Sequence, residues 1–230
     1  MLLLPILLAL TAASESPEPP VRTVMLTRFD RLRVSGSYVV EVVTGGRTGA
    51  ELLGDRASAE RVAVQVEAGV LTIRPTGTTQ DGFAVLQRPV TIRVRTTAPL
   101  QAVTLTGGGR VAVDRLTGTR SEVVLNGTGT LSIASVAAEQ LLGTLTGNGT
   151  LSLAGTARQA RFVASGSGSL DAASLDTRDL VVRSDGAGTA RFRAALTAIV
   201  MANGVGTVEV AGSAKCQVRG TSAVQCGARP

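Results

Sequence analysis

A chain of 230 residues with no histidine and only two cysteines excludes Ser-His-Asp and Cys-His catalysis, histidine acid–base chemistry and histidine-ligated zinc. Aromatic residues make up 2% of it and tryptophan is absent, which argues against a thick globular core and for thin packing by Val, Leu, Ile and Ala. The formal charge of +6 rests on 23 basic side chains, of which only Lys215 is a lysine; it predicts a solvated basic face.

The chain opens MLLLPILLALTAAS. This apolar run ends in small residues and is too short to span a bilayer as a helix, so residues 1–13 read as a signal peptide. No cysteine follows to accept a lipoprotein anchor, and nothing downstream is long and apolar enough for a transmembrane helix. The mature protein is therefore expected to be exported and not an integral membrane protein, which argues against nucleic acid as the partner of its basic surface. Residues 14–20, SESPEPP, read as an extended spacer.

Residues 21–100 read as an N-terminal β segment belonging to the same domain as the repeat at 101–230. Strands are expected at Val21–Leu26, Phe29–Val34 and Tyr38–Val43, with Ser35-Gly36-Ser37 as a glycine corner between the last two. After a short strand at Ala50–Gly54, Asp55–Arg61 forms one helical turn capped by Asp55. Val62–Glu67 and Val70–Arg74 flank Ala68-Gly69 as a hairpin, Pro75–Gly82 is a loop, and Pro89–Thr96 is a strand with Val90, Ile92 and Val94 on one side.

Within the repeat, G-x-G recurs at Gly107/Gly109, Gly127/Gly129, Gly147/Gly149, Gly166/Gly168, Gly186/Gly188 and Gly204/Gly206, with first glycines 20, 20, 19, 20 and 18 residues apart. Four and six residues after each first glycine stand apolar or small residues, Val111 and Val113 or Leu151 and Leu153 for example, with Ala112 or Ser152 between them. That period of two marks a strand with one buried face. Repeats of this length predict stacked rungs, an all-β solenoid of about 20-residue coils cornered by glycine. Glycine suits the corner because positive φ costs other residues roughly 1–2 kcal/mol, and because bulk there would push rungs apart. The alternative is an antiparallel meander with one glycine turn per repeat, favoured by Asn126-Gly127 and Asn203-Gly204. Against it, each repeat carries further apolar positions on its far side, at Leu116, Val136 and Leu175.

At the end of the chain Gly220-Thr221-Ser222 stands where a seventh corner belongs. Cys216 and Cys226 flank it at inward offsets, which in an oxidising compartment suggests a disulfide capping the stack, with buried free thiols as the alternative.

The run FDRLRVSGSYVVEV, the serial G-x-G corners and the terminal AGSAKCQVRGTSAVQCG together resemble the head GIN domain family, whose members are labelled autotransporter adhesin heads. The resemblance spans nearly all of Val21 to Gly227. It implies a right-handed parallel β-helix fold, a place in the periplasm or on the outer surface of a Gram-negative cell, and no established enzymatic activity.

No catalytic, cofactor or metal residues emerge from the sequence. The residues after the second glycines are Arg110, Thr130, Thr150, Ser169, Thr189 and Thr207, not the aspartates of a calcium-binding roll, and they suggest a ladder of stacked hydroxyls. No helix follows the G-x-G corners, so they cradle no phosphate. Asp171, Asp176, Asp179 and Asp185 cluster in sequence, and Asp171, Arg191 and Glu209 share one outward offset, as an ion-pair ladder or as glycosidase carboxylates. The leading expectation is a non-enzymatic envelope protein, adhesin-like or a scaffold, with an anionic glycan, a lipid headgroup or another envelope protein as partner. The alternative is a carbohydrate-active enzyme on the same fold.

Overall fold

The computed structural model describes residues 21–76 and 90–228; the expected signal peptide at 1–13, the spacer at 14–20 and most of the loop at 75–82 lie outside the described residues. The elements in chain order are β1 (Arg22–Met25), β2 (Arg31–Ser35), β3 (Val39–Thr44), β4 (Gly49–Leu53), α1 (Arg56–Glu60), β5 (Val62–Glu67), β6 (Val70–Pro75), β7 (Thr91–Thr96) and β8 (Ala102–Gly107). The repeat continues with β9 (Arg110–Gly127), β10 (Thr130–Gly147), β11 (Thr150–Gly166), β12 (Ser169–Gly186) and β13 (Thr189–Asn203), then β14 (Thr207–Ala211), β15 (Lys215–Gly220) and β16 (Ala223–Ala228).

Each repeat coils once and lies parallel to the next, so equivalent residues stack: Val111 on Leu131, Leu131 on Leu151, Leu151 on Leu170, Leu170 on Ala190 and Ala190 on Val208. The architecture is the right-handed parallel β-solenoid, and the antiparallel meander is excluded by that register. All twelve positions read as inward from the two-residue period are buried, from Val111 and Val113 through Val208 and Val210.

The long strands are not straight. In β9 the buried positions are Val111, Val113, Leu116, Ser121, Val123 and Leu125, so their parity changes after Val113 and again after Leu116. A straight strand keeps one parity, so each change marks a bend. Two bends and the glycine corner divide a rung into three sides. The first holds Val111 and Val113 inward, the second Leu116, the third Val123 and Leu125. Leu116, Val136 and Leu175, the far-side apolar residues, are all buried on the second side.

The N-terminal strands form the rung beneath. β2 lies parallel to β8 and β3 parallel to β9, with Gly36 (φ 115°) as their shared corner. Below β2 lies β6, joined to β5 in an antiparallel hairpin turned by Ala68 (φ 48°) and Gly69 (φ 77°). Below β3 lies β7, followed by β4 and β1, both added antiparallel. The Asp55 carboxylate caps α1, accepting the Ser58 N–H at 3.0 Å.

At the other end, Cys216 stacks on buried Ala198 and Cys226 on buried Val210, and the two form a disulfide. The bridge runs from the third side to the first, across the end of the core. The final corner departs from the repeat. Gly220 (φ 117°) lies over Ala202 instead of Gly204, and the N–H groups of Thr221 and Ser222 donate to the Ala202 carbonyl at 2.9 and 3.2 Å.

Core volume is conserved by pairing large with small. Phe162 stacks on Gly143 and Phe192 on Ala172, and the two rings meet with centroids 5.1 Å apart.

Candidate functional site

The glycine corners determine what the faces can be. Positive φ, the conformation expected of the corner glycines, is confined to the first member of each pair: Gly107, Gly127, Gly147, Gly166, Gly186 and Gly204, with 107° at Gly147 and 126° at Gly127. A Cβ on Gly127 would stand 2.6 Å from the Gly107 carbonyl oxygen, which already accepts the N–H groups of Thr128 and Gly129 at 3.2 and 3.0 Å.

The second members, Gly109, Gly129, Gly149, Gly168, Gly188 and Gly206, do not have positive φ, so of the two reasons expected for a corner glycine only the steric one applies to them. A Cβ on Gly109 would stand 2.7 Å from the Tyr38 carbonyl oxygen, and one on Gly149 would stand 2.6 Å from that of Gly129. On Gly168 it would stand 2.5 Å from the Gly149 carbonyl oxygen, and on Gly188 and Gly206 it would overlap the carbonyl oxygens of Gly168 and Gly188. One glycine turns the chain and the other lets the turns nest. Nested corners keep successive rungs in register, so each outward position becomes a column with a repeat of about 4.8 Å.

On the first side these columns form a shallow groove of about 500 Å³. Its floor is small, Ala112, Ser132, Ser152, Ala134 and Ala154, and carboxylates stand at its ends, Glu41 and Asp114 at one and Asp171 at the other. Each carboxylate is engaged. Glu41 meets Arg93 Nε at 3.3 Å, Asp114 accepts from the Thr44 N–H (2.7 Å) and hydroxyl (2.9 Å), and Asp171 accepts the Ala173 N–H at 3.1 Å.

Asp171, Arg191 and Glu209 do stack in one column, and Arg191 Nε donates to Glu209 Oε2 at 3.3 Å. Both partners are exposed, so the pair stabilises little, and a guanidinium stands between the two carboxylates. The other aspartates of the sequence cluster are dispersed by the bends. Asp176 meets Arg193 at 3.8 Å, Asp179 accepts from the Thr197 hydroxyl at 2.6 Å, and Asp185 lies on the third side. Thr130, Thr150, Ser169, Thr189 and Thr207 stack as expected, but the described residues show only one hydroxyl bond between them, Thr189 to Ser169 at 3.4 Å. The continuous hydroxyl ladder is not formed among the described residues, because at a repeat near ~4.8 Å stacked hydroxyls meet only where their side chains lean toward one another, as at Thr189 and Ser169.

The third side carries a surface that the sequence pattern does not single out. Leu142, Arg161, Val181 and Ile199 form one outward column, and Val163, Arg183, Met201 and Arg219 form the next. Val163 is 37% exposed and Ile199 38%. Arg183 Nε donates to Asp185 Oδ2 at 2.8 Å, and Asn203 donates to Oδ1 at 3.2 Å. Those two bonds, the arginine's first, hold the Asp185 carboxyl below the usual carboxylate range, and the same contact raises the Arg183 guanidinium. Arg161 and Arg183 are legible as outward residues. The aliphatic residues between them look like core, because a valine in a strand reads as buried until its parity is known.

Among the described residues no group of His, Cys, Asp and Glu is placed to hold a metal ion, and no helix is long and apolar enough to cross a membrane.

Residues 28–214 match the family described as "Putative auto-transporter adhesin, head GIN domain". No curated protein matches the chain. Among solved structures, a putative adhesin from Bacteroides fragilis aligns with a TM-score of 0.79 at 20% identity, covering 89% of this chain and 95% of that one. A putative lipid binding protein from Parabacteroides distasonis aligns at 0.68 with 18% identity, again over 89% and 95%. A putative adhesin from Parabacteroides merdae aligns at 0.66 with 16% identity, over 89% and 94%. At these identities the likeness is one of fold.

Proposed function

We propose that this chain, which belongs to the head GIN domain family, is an exported adhesin-like binding module of the cell envelope. Its partner is an anionic glycan, a lipid headgroup or another envelope protein, met on a rigid solenoid face. The observation that supports this reading most directly is the register. Nested glycine corners set one outward side chain from each rung at about 4.8 Å along each face, an arrangement suited to an extended polymer or a surface more than to one small molecule. The net charge of +6 favours an anionic partner. The names of the structural neighbours, adhesins and a lipid binding protein, are consistent with surface binding and name no reaction.

Two measurements test it. Purified chain is expected to bind isolated envelope polysaccharide, envelope lipid or a crosslinkable envelope protein at low salt and to release it as salt screens the charge; absence of binding to all three would overturn the reading. Fractionation of cells making the full chain is expected to place it outside the cytoplasm, and retention in the cytoplasm would remove the envelope from the proposal.

A further inference from the structure

We infer that the third side of the solenoid is the contact face and that its partner is the phosphate-bearing surface of an anionic lipid bilayer. This rests on the reading of the chain as an envelope binding module and specifies where it binds and what.

Guanidinium and aliphatic groups alternate on this face. Arg161 lies between Leu142 and Val181 in its column, and Arg183 lies between Val163 and Met201 in the neighbouring one. The outer face of a solvated sheet is ordinarily polar, so contiguous aliphatic side chains there mark a contact surface.

The charges differ from those of the first side in a way that matters. There Arg93 and Arg191 are each engaged by a carboxylate, Glu41 and Glu209, and Arg110 stands without an ion pair among the described residues. On the third side Arg33, Arg161 and Arg219 make no ion pair among the described residues, whereas Arg183 is engaged by Asp185 and Arg31 by Asp30. Unpaired guanidinium groups on a flat surface are complementary to phosphate, which they bind through a planar fork of donors. At the N-terminal end of the same face Arg31, Arg33 and Arg120 outnumber one carboxylate, Glu122, around a depression of about 380 Å³, and with Arg31 engaged by Asp30 the basic character there rests on Arg33 and Arg120.

The aliphatic component separates a lipid surface from the other candidates. Recognition of sugar rings relies on aromatic stacking, and the central columns of this face carry no aromatic side chain. A protein partner engages buried aromatic and arginine anchors in pockets, whereas Val163 and Ile199 stand outward from neighbouring columns of one continuous sheet. Short aliphatic side chains among arginines suit the boundary between headgroup and acyl chain, where phosphate and hydrocarbon adjoin.

The test is co-sedimentation of the purified chain with vesicles of phosphatidylglycerol and phosphatidylcholine, against phosphatidylcholine alone. Binding is expected to require phosphatidylglycerol and to weaken with salt. Arg33→Glu/Arg161→Glu is expected to reduce it about tenfold or more, and Val163→Ser/Ile199→Ser to remove the part that survives high salt. Arg110→Glu/Arg115→Glu, the same double charge change at exposed positions of β9 away from this face, is expected to leave binding near wild type. All the substituted side chains point outward, so melting is expected to be unchanged; Arg161→Gln, which keeps the chain's length without its charge, gives the second reading if the double variant melts early. Undiminished vesicle binding by the third-side variants, or an equal loss in Arg110→Glu/Arg115→Glu, would overturn the face. A wild-type chain that ignores both vesicle types yet holds envelope polysaccharide would overturn the lipid partner and leave the wider reading standing. Failure on vesicles and polysaccharide alike would end the lipid proposal and leave the wider reading only its protein partner.

Discussion

The ring of Phe162 occupies the space that a side chain at Gly143 would need. The two residues stack in adjacent rungs, and a Cβ built on Gly143 would overlap the Cδ1 and Cε1 atoms of the ring. Gly143 faces the core and has no positive φ, so this glycine is set by packing and not by backbone conformation. Gly143→Ala is expected to cost about 1–3 kcal/mol through overpacking, and Phe162→Ala about 3–5 kcal/mol through the cavity it leaves. In the double variant the two costs are expected to sum to less than their total, because the new methyl enters the vacated space. Urea unfolding of the three proteins decides it; simple additivity would mean that the two sites do not compete for one volume.

The corner glycines are expected to be far less tolerant than the residue between them. Gly147→Val places a branched side chain at φ 107° and within 2.6 Å of the Gly127 carbonyl, so the strain and the clash add. Asn148→Ala loses one exposed bond, donated by the Ser167 hydroxyl at 2.7 Å, and is expected to cost less than about 1 kcal/mol. Equal melting shifts for the two variants would contradict the nested-corner geometry.

The Cys216–Cys226 bridge closes the end of the core over Ala198 and Val210. Its loop is short, the cysteines standing 10 residues apart in sequence, so Cys216→Ser/Cys226→Ser is expected to lose roughly 2–3 kcal/mol. The loss should appear first as faster hydrogen exchange in β15 and β16. Unfolded protein without reductant should react with no thiol reagent, and two reactive thiols would refute the bridge.

Ser121 is fully buried and its hydroxyl has no hydrogen-bond partner. A buried hydroxyl without a partner costs about 1–3 kcal/mol. Ser121→Ala is therefore expected to be neutral or stabilising, against the trend for core substitutions, and a clear drop in melting temperature would show that the hydroxyl is satisfied in solution.

Tyr38 is the chain's one tyrosine, and it packs against Gly36 at the first corner. Burial raises its phenol above the ordinary value of 10.0. Because the folded value exceeds the unfolded one, its contribution to stability is present below pH 10.0 and is lost as pH rises through the folded value. Phenolate absorbance should titrate later in the native protein than in urea, and coincident curves would show that the ring is solvated.

Much of this fold is legible in the chain itself. Glycine pairs 18 to 20 residues apart set the rung length, and alternation after each pair identifies the residues that enter the core, because inward and outward are a local property of an extended backbone. The cysteines declare themselves in the same way, through their offsets from Gly220. The need for a second glycine in each pair is less legible, because the carbonyl that excludes a Cβ at Gly168 or Gly206 belongs to the preceding rung. Position around the rung is not local either. It depends on where the bends fall, and the bends absorb length differences: Ala172 and Asp176 pair with the adjacent residues Phe192 and Arg193, leaving Ala173, Ser174 and Leu175 without partners in the next rung. For that reason Asp171 and Asp185 read as one cluster but lie on different sides, while Arg161 and Ile199, 38 residues apart in sequence, share a column. The sequence by itself determined the coil and its core. Only the tertiary structure decided which exposed residues meet on a face, because lateral register between rungs is formed by backbone pairing that no single repeat encodes.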